Sequence, residues 1–170
     1  SEELTSGGRF ICLNFGIDEK GRHLGNTGGH SMFDKFSSHW KNLREEKIIT
    51  DIEFRAATFA QHYRTVSEFR KPFDDEKSLI YKSGLRLISC TTKLTDCPYK
   101  LNYQKNKDKI TKIEYASNLI PTMRSWSETV FRTALIGRDE KEIDGIVNSF
   151  YSNYESEIAE NPDGHAMDYI

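Results

Sequence analysis

Cysteine is scarce in this chain of 170 residues: Cys12, Cys90 and Cys97 are the only three, and no two form a CxxC pair. An odd, unpaired set argues against a zinc site and for reduced thiols, and hence for an intracellular, cytoplasmic setting. Cys12 and Cys90 fall in expected strands, so burial is expected for both. Long apolar runs are also missing, since nothing approaches the roughly 18 residues of a transmembrane helix. Charge of one sign is missing too: a formal net charge of −2 gives no global attraction to nucleic acid or to an anionic membrane. Signatures of covalent and metal catalysis are likewise missing, with no GxSxG elbow, no P-loop and no HExxH. His23, His30, His39, His62 and His165 are scattered through different elements, and the spacing of His30 and His39 matches no ligand pattern. Gly25-Asn26-Thr27-Gly28-Gly29 opens no Lys-Ser/Thr helix start, which sets aside a phosphate loop.

What is there is a soluble composition, 36% hydrophobic and 29% charged, on a chain long enough for a real core. Residues 1–8 read as a helix ending on a Gly7-Gly8 cap. Residues 9–15, Arg-Phe-Ile-Cys-Leu-Asn-Phe, read as a strand of the kind buried on both faces of a parallel sheet. Helix, turn and strand make half of a βαβ unit, whose partner strands should lie earlier. The expectation is therefore the C-terminal portion of a larger α/β enzyme.

Residues 16–29 form a glycine-rich loop. Ser31 caps a helix over residues 32–46, with Met32, Phe33, Phe36, Trp40 and Leu43 on one face. That stripe suits core packing, and a pocket wall is built from the same residues. Thr50 and Glu53 make a capping box for a helix over 51–57. Residues 59–64 are irregular, and Thr65 with Glu68 starts a helix that stops near Pro72. Residues 84–92 read as a second strand. The lysine-rich stretch from Tyr99 to Lys112 lacks arginine and a glycine loop, so a solvated helix or linker is expected instead of a nucleic-acid patch. A helix over 113–135 should break or kink at Pro121. A last helix covers 139–160, a turn follows at 161–164, and a strand begins at 168–170. Phe15, Met32, Phe33, Tyr63, Tyr115, Met123 and Trp126 accumulate around the interrupted helices. Such a set suits a small flat organic molecule better than it suits acid–base chemistry.

Residues 7–16, Gly-Gly-Arg-Phe-Ile-Cys-Leu-Asn-Phe-Gly, resemble the PGGRMVLT…G strand of the SABATH carboxyl methyltransferases. Those enzymes use S-adenosylmethionine to methylate small acids such as salicylate, jasmonate and indole-acetate, and some methylate nitrogen in purine alkaloids. Glu46-Lys47-Ile48-Ile49 resembles the family's EGLI helix end. Ala60-Gln61-His62-Tyr63-Arg64-Thr65 resembles its IPQYxPS segment, and Gly84-Leu85-Arg86-Leu87 takes the place of the next strand. Pro121 falls at AEP, and Phe150-Tyr151-Ser152-Asn153-Tyr154 resembles F…RY. The ordered series spans essentially the whole chain. Ile17-Asp18-Glu19 and Asn26-Thr27-Gly28-Gly29 look closest to microbial members.

The resemblance implies an α/β fold: part of a Rossmann-like class I methyltransferase sheet with a mostly helical substrate-binding cap. Residues 1–30 would belong to the core, 31–83 to the cap, 84–96 to a core strand, and 97–170 to the cap and the start of the last strand. The family's pocket positions fall on Phe15, Met32, Phe33 and His62, with Tyr115 and Asn118 also in register. Tyr63, beside His62, and Trp126, from the aromatic set, complete the expected substrate-binding residues. The family's pocket Trp is Phe33 here and its pocket Tyr is His62. Arg55 and Thr58 hold the places of the Asp and Asn credited with a metal in some plant members, so no metal is expected.

The implied reaction needs no nucleophilic side chain, because the acid's carboxylate attacks the sulfonium methyl and the protein supplies proximity and desolvation. The cofactor is S-adenosylmethionine, with its site mostly upstream of this chain. Expected partners are a small carboxylic acid and a second copy of the chain, with no nucleic acid and no membrane. The alternative is a truncated, non-catalytic ligand-binding or partner-binding module that lacks the cofactor site.

Overall fold

Local capping sets most of the helix starts. The computed structural model describes residues 4–27 and 31–170. Ser1 to Glu3 of the expected first helix end, and Gly28, Gly29 and His30, lie outside the described residues. Ser31 accepts from the Asp34 N–H at the start of α1 (Met32–Glu45). Thr50 and Glu53 close a capping box on α2 (Asp51–Ala56), and Thr65 and Glu68 do the same for α3 (Val66–Asp74), which runs through Pro72. A single turn, α4 (Leu79–Lys82), follows, and the lysine-rich stretch forms α5 (Pro98–Lys105). Thr111 with Glu114 starts α6 (Lys112–Ala134), and Asp139 caps α7 (Glu140–Glu160).

Packing follows the apolar stripes. α6 and α7 share the most extensive contact, α1 lies across α7, and α2 and α5 rest on α6. Met32, Phe36, Trp40 and Leu43 of α1 are buried against Leu119, Met123 and Phe131 of α6 and Val147, Phe150 and Tyr154 of α7. Phe36 is the aromatic hub, with ring centroids 5.7–6.4 Å from Phe33, Phe59, Trp126, Phe131, Phe150 and Tyr154. A polar bond joins α6 to α7 within this core: the Ser127 hydroxyl donates to the Met123 carbonyl and accepts from the Tyr151 hydroxyl, 2.7 Å away.

The structure corrects the Rossmann-like expectation. The described residues form a mostly helical fold with only two short strands, β1 (Gly16–Ile17) and β2 (Arg64–Thr65), paired in parallel with Gly16 opposite Arg64. Residues 9–15 and 84–92 form no strand. Phe10, Ile11 and Leu13 are 73%, 82% and 92% exposed, and Ile88 is 76% exposed. An apolar run becomes a buried strand only where backbone neighbours complete the ladder and layers cover both faces. Among the described residues nothing flanks 9–15 in that way, and Cys12 is exposed instead of buried. Cys90 is half-buried, and Cys97 alone is fully buried. At the other end the expected strand is a single antiparallel bridge between Tyr169 and Thr95, with the Gly16 N–H donating to the Ile170 carbonyl at 2.9 Å.

At Pro121, where a break or a kink is expected, α6 is not broken. Proline costs the helix one backbone bond. Leu119, Ile120 and Met123, all buried around it, hold the helix in register through packing. Among the described residues, no helix is long and apolar enough to cross a membrane.

Candidate functional site

The start of α1 and the middle of α6 build an aromatic wall. Phe33, half-buried on α1, meets Trp126 of α6 edge-on at 6.1 Å and Phe59 at 5.6 Å. Phe59 in turn lies 5.8 Å from Phe36 and 6.0 Å from Trp126. Offset and edge-to-face pairs of this kind are worth about 0.5–1.5 kcal/mol each beyond the area they bury. The loop before α1 is laid directly on this wall. Gly25, at φ +75°, accepts from the Met32 N–H at 2.8 Å, and a Cβ there would stand 3.0 Å from Met32 Cε and 3.1 Å from the Phe33 ring.

The structure brings together some of the sequence-predicted residues and separates others. Met32, Phe33 and Trp126 converge on the wall. Phe15 is half-exposed and stacks on Tyr169 at 5.8 Å. Tyr63 stacks on His23 at 5.2 Å and hydrogen-bonds Gln61, and burial pushes its hydroxyl pKa up. Tyr115 faces a different neighbourhood: it is buried, stacks on Tyr103 at 4.9 Å and donates to the His165 carbonyl at 2.5 Å. Burial raises its pKa, with Cys97 and Asp168 adding to the effect. His62 and Asn118 are exposed to solvent and join none of these groups. Phe36 and Phe59 are the members that sequence reasoning did not place in the site. Phe36 was visible as part of the α1 stripe, whereas Phe59 lies in an irregular segment that carries no periodic signal.

A cavity of about 460 Å³ lies elsewhere, between the 23–27 loop, the start of α5 and the C-terminal segment. Asp168 ties these pieces together, accepting from the Thr27 hydroxyl at 2.8 Å and the Cys97 N–H at 2.6 Å. Lys100 donates to the carbonyls of Pro162 and Asp163, each at 2.7 Å. Burial lowers the Lys100 pKa, and Asp163 and Asp168 partly offset that. Asp168 is engaged by Thr27 and Cys97, and Lys100 by backbone carbonyls, so the cleft has the chemistry of a structural clasp.

A third charged group joins α1 to α7. Glu157 pairs with Lys35 and with His39 Nε2, the latter at 2.7 Å. Burial pushes the Glu157 carboxyl up, and the hydrogen bonds from Lys35 and His39 more than offset it, leaving the pKa below its ordinary value. Among the described residues, no cluster of three or more His, Cys, Asp or Glu could hold a metal ion. No protein-family model matches the chain, and no curated protein matches it.

Proposed function

We propose that this chain is a helical small-molecule-binding module that holds the apolar body of an organic acid against Phe33, Phe59 and Trp126, in the service of methyl transfer to the acid's carboxylate. The observation that carries the reading is the convergence of Phe33 and Trp126, far apart in sequence, on one wall with Phe36 and Phe59. An aromatic wall orients a flat acceptor and keeps water from its carboxylate, and such a reaction asks little else of side chains. The ordered resemblance to carboxyl methyltransferases supports the same reading.

S-adenosylmethionine would be the methyl donor, but the described residues do not fit it. The cofactor needs an open glycine loop and a free carboxylate for its ribose. The Gly25 loop is closed down on Met32 and Phe33, and both Asp168 oxygens are engaged by Thr27 and Cys97. The chain's own contribution is to bind and orient the acceptor. A second reading, a non-catalytic ligand-binding module, is favoured by the mostly helical fold, whose described residues form only the short β1–β2 pair.

The test is titration of the chain with salicylate, indole-acetate and jasmonate, followed by incubation with methyl-labelled S-adenosylmethionine. Saturable binding weakened about ten-fold by Trp126→Ala is the expected result. Absence of binding to any of the acids overturns the wall assignment. Binding with labelled ester formed supports the enzyme reading, and binding without ester supports the module alone.

A further inference from the structure

The C-terminal stretch, residues 162–170, carries an ionisable ring into the bundle. His165 is 2% exposed, and side chains from three helices meet it. Tyr115 of α6 donates to its carbonyl, and Lys100 of α5 reaches the same oxygen at 3.4 Å. Tyr154 of α7 meets the ring edge-on at 5.6 Å, with its hydroxyl 3.5 Å from Nδ1. Glu157, also on α7, lies 3.8 Å from Nε2. Both Glu157 oxygens are already engaged from α1, Oε1 by Lys35 and Oε2 by His39. On the stretch itself, Asp163 faces Lys100 and Lys107 at 3.9 and 3.6 Å, and Asp168 is held by Thr27 and Cys97. A proton on the docked ring would place a further cation, away from water, beside a carboxylate that Lys35 already neutralises. Released into water, the same ring takes a proton at the ordinary histidine value of about 6.5.

We propose that residues 162–170 form an acid-released strap, which proton uptake by His165 frees from the bundle. The docked ring stays neutral and the freed ring binds a proton. Docking is therefore at full strength above about pH 6.5 and weakens below it, by at most about ten-fold per pH unit. His39 works the other way, since a proton there strengthens its bond to Glu157 and ties α1 to α7 more firmly. Release takes Asp168 from Cys97 and Thr27 and parts Tyr169 from Thr95. It thereby frees the 23–27 loop, whose Gly25 lies on Met32 and Phe33. The strap does not depend on what the aromatic wall binds.

The test is amide hydrogen exchange by NMR in the full chain from pH 7.5 to 5.5, each rate being divided by its intrinsic value at that pH. The Thr95, Cys97 and Tyr169 amides report the strap, because Thr95 and Tyr169 bond each other and Cys97 bonds Asp168, and Phe150 reports the core. Protection at the three should fall about ten-fold across this range, while Phe150 keeps its protection. The loss should persist in His39→Gln and vanish in His165→Gln. Flat protection, a parallel loss at Phe150, an undiminished loss in His165→Gln or a loss abolished by His39→Gln overturns the proposal. Where His165→Gln leaves Thr95 unprotected even at pH 7.5, the wild-type ring decides through its long-range ¹⁵N spectrum at pH 6. A neutral His165 ring while the three amides are still protected supports the strap, and a charged ring in that state overturns it.

Discussion

The Arg138 guanidinium grips the Glu53 carboxylate with two nitrogens, Nε at 2.6 Å and Nη2 at 2.8 Å, and the same carboxylate closes the capping box of α2 by accepting from the Thr50 N–H. Arg138 also reaches the Ile48 carbonyl at 3.0 Å, so one side chain fixes α2, the turn before it and the start of α7. The Arg138 hydrogen bonds are the main reason that the Glu53 pKa falls from its ordinary 4.5 to about 2. Because the folded value is the lower one, the pair's contribution is fully present above pH 4.5 and is lost as the pH falls toward 2. Allowing for partial solvent access, that contribution is on the order of 2 kcal/mol. Urea titrations at a series of acid pH values should show a steeper loss of stability below pH 4.5 in the wild type than in Glu53→Gln. Parallel slopes would count against it.

Gly25→Ala should destabilise the chain by about 1–3 kcal/mol, for two separate reasons. A residue with a Cβ is strained at φ +75°, and that Cβ would press on Met32 and Phe33. Gly21→Ala shares the strain, at φ +74°, but has open space around it, so it should cost less. Thermal unfolding of the two variants separates strain from contact, and equal losses would show that the close approach to α1 contributes nothing.

Pro121→Ala should stabilise the protein by about 1–2 kcal/mol. The substitution returns an N–H to the Ser117 carbonyl one turn back, which outweighs the added freedom of the unfolded chain. A fall in the urea midpoint would mean that the pyrrolidine ring itself packs in a way an alanine cannot replace.

The exposed run at residues 9–15 should make the chain self-associate. Phe10, Ile11 and Leu13 stand in solvent with a backbone that makes no ladder bonds, which is a template for pairing with another copy. Sedimentation velocity over a range of concentrations should show association in the wild type and less of it in Ile11→Lys. A monomer at every concentration in both proteins would sink this expectation.

What could be read from the sequence was what is decided locally. Ser31, Thr50 and Thr65 announced their helices because a cap is an interaction over three residues, and the stripe from Met32 to Leu43 announced the buried face of α1. The strands could not be read that way. Residues 9–15 have the composition of a buried strand, but a strand exists only through partners, and the described residues offer none there. At Pro121 the helix does not break, for the converse reason: the local cost of proline is real, and tertiary packing of Leu119, Ile120 and Met123 outweighs it. The wall shows both effects, since Phe33 stood in the α1 stripe and in a matched segment, whereas Trp126 came only from the accumulation of aromatics around the interrupted helices. The same matching carried His62 and Asn118 to positions that face solvent.

The Asp168 clasp sets an order on folding. Its bonds to Thr27 and Cys97 span 141 and 71 residues, whereas the α6–α7 pair joins neighbours in the chain. Closing such long loops is slow and carries the larger entropy cost, so the helical pair collapses first and the clasp forms last. In the native ensemble the sequence should reverse: the Cys97 amide, held by one carboxylate at a loop junction, should exchange its hydrogen through small openings, and the amides around Met123 and Phe150 only when the whole chain unfolds.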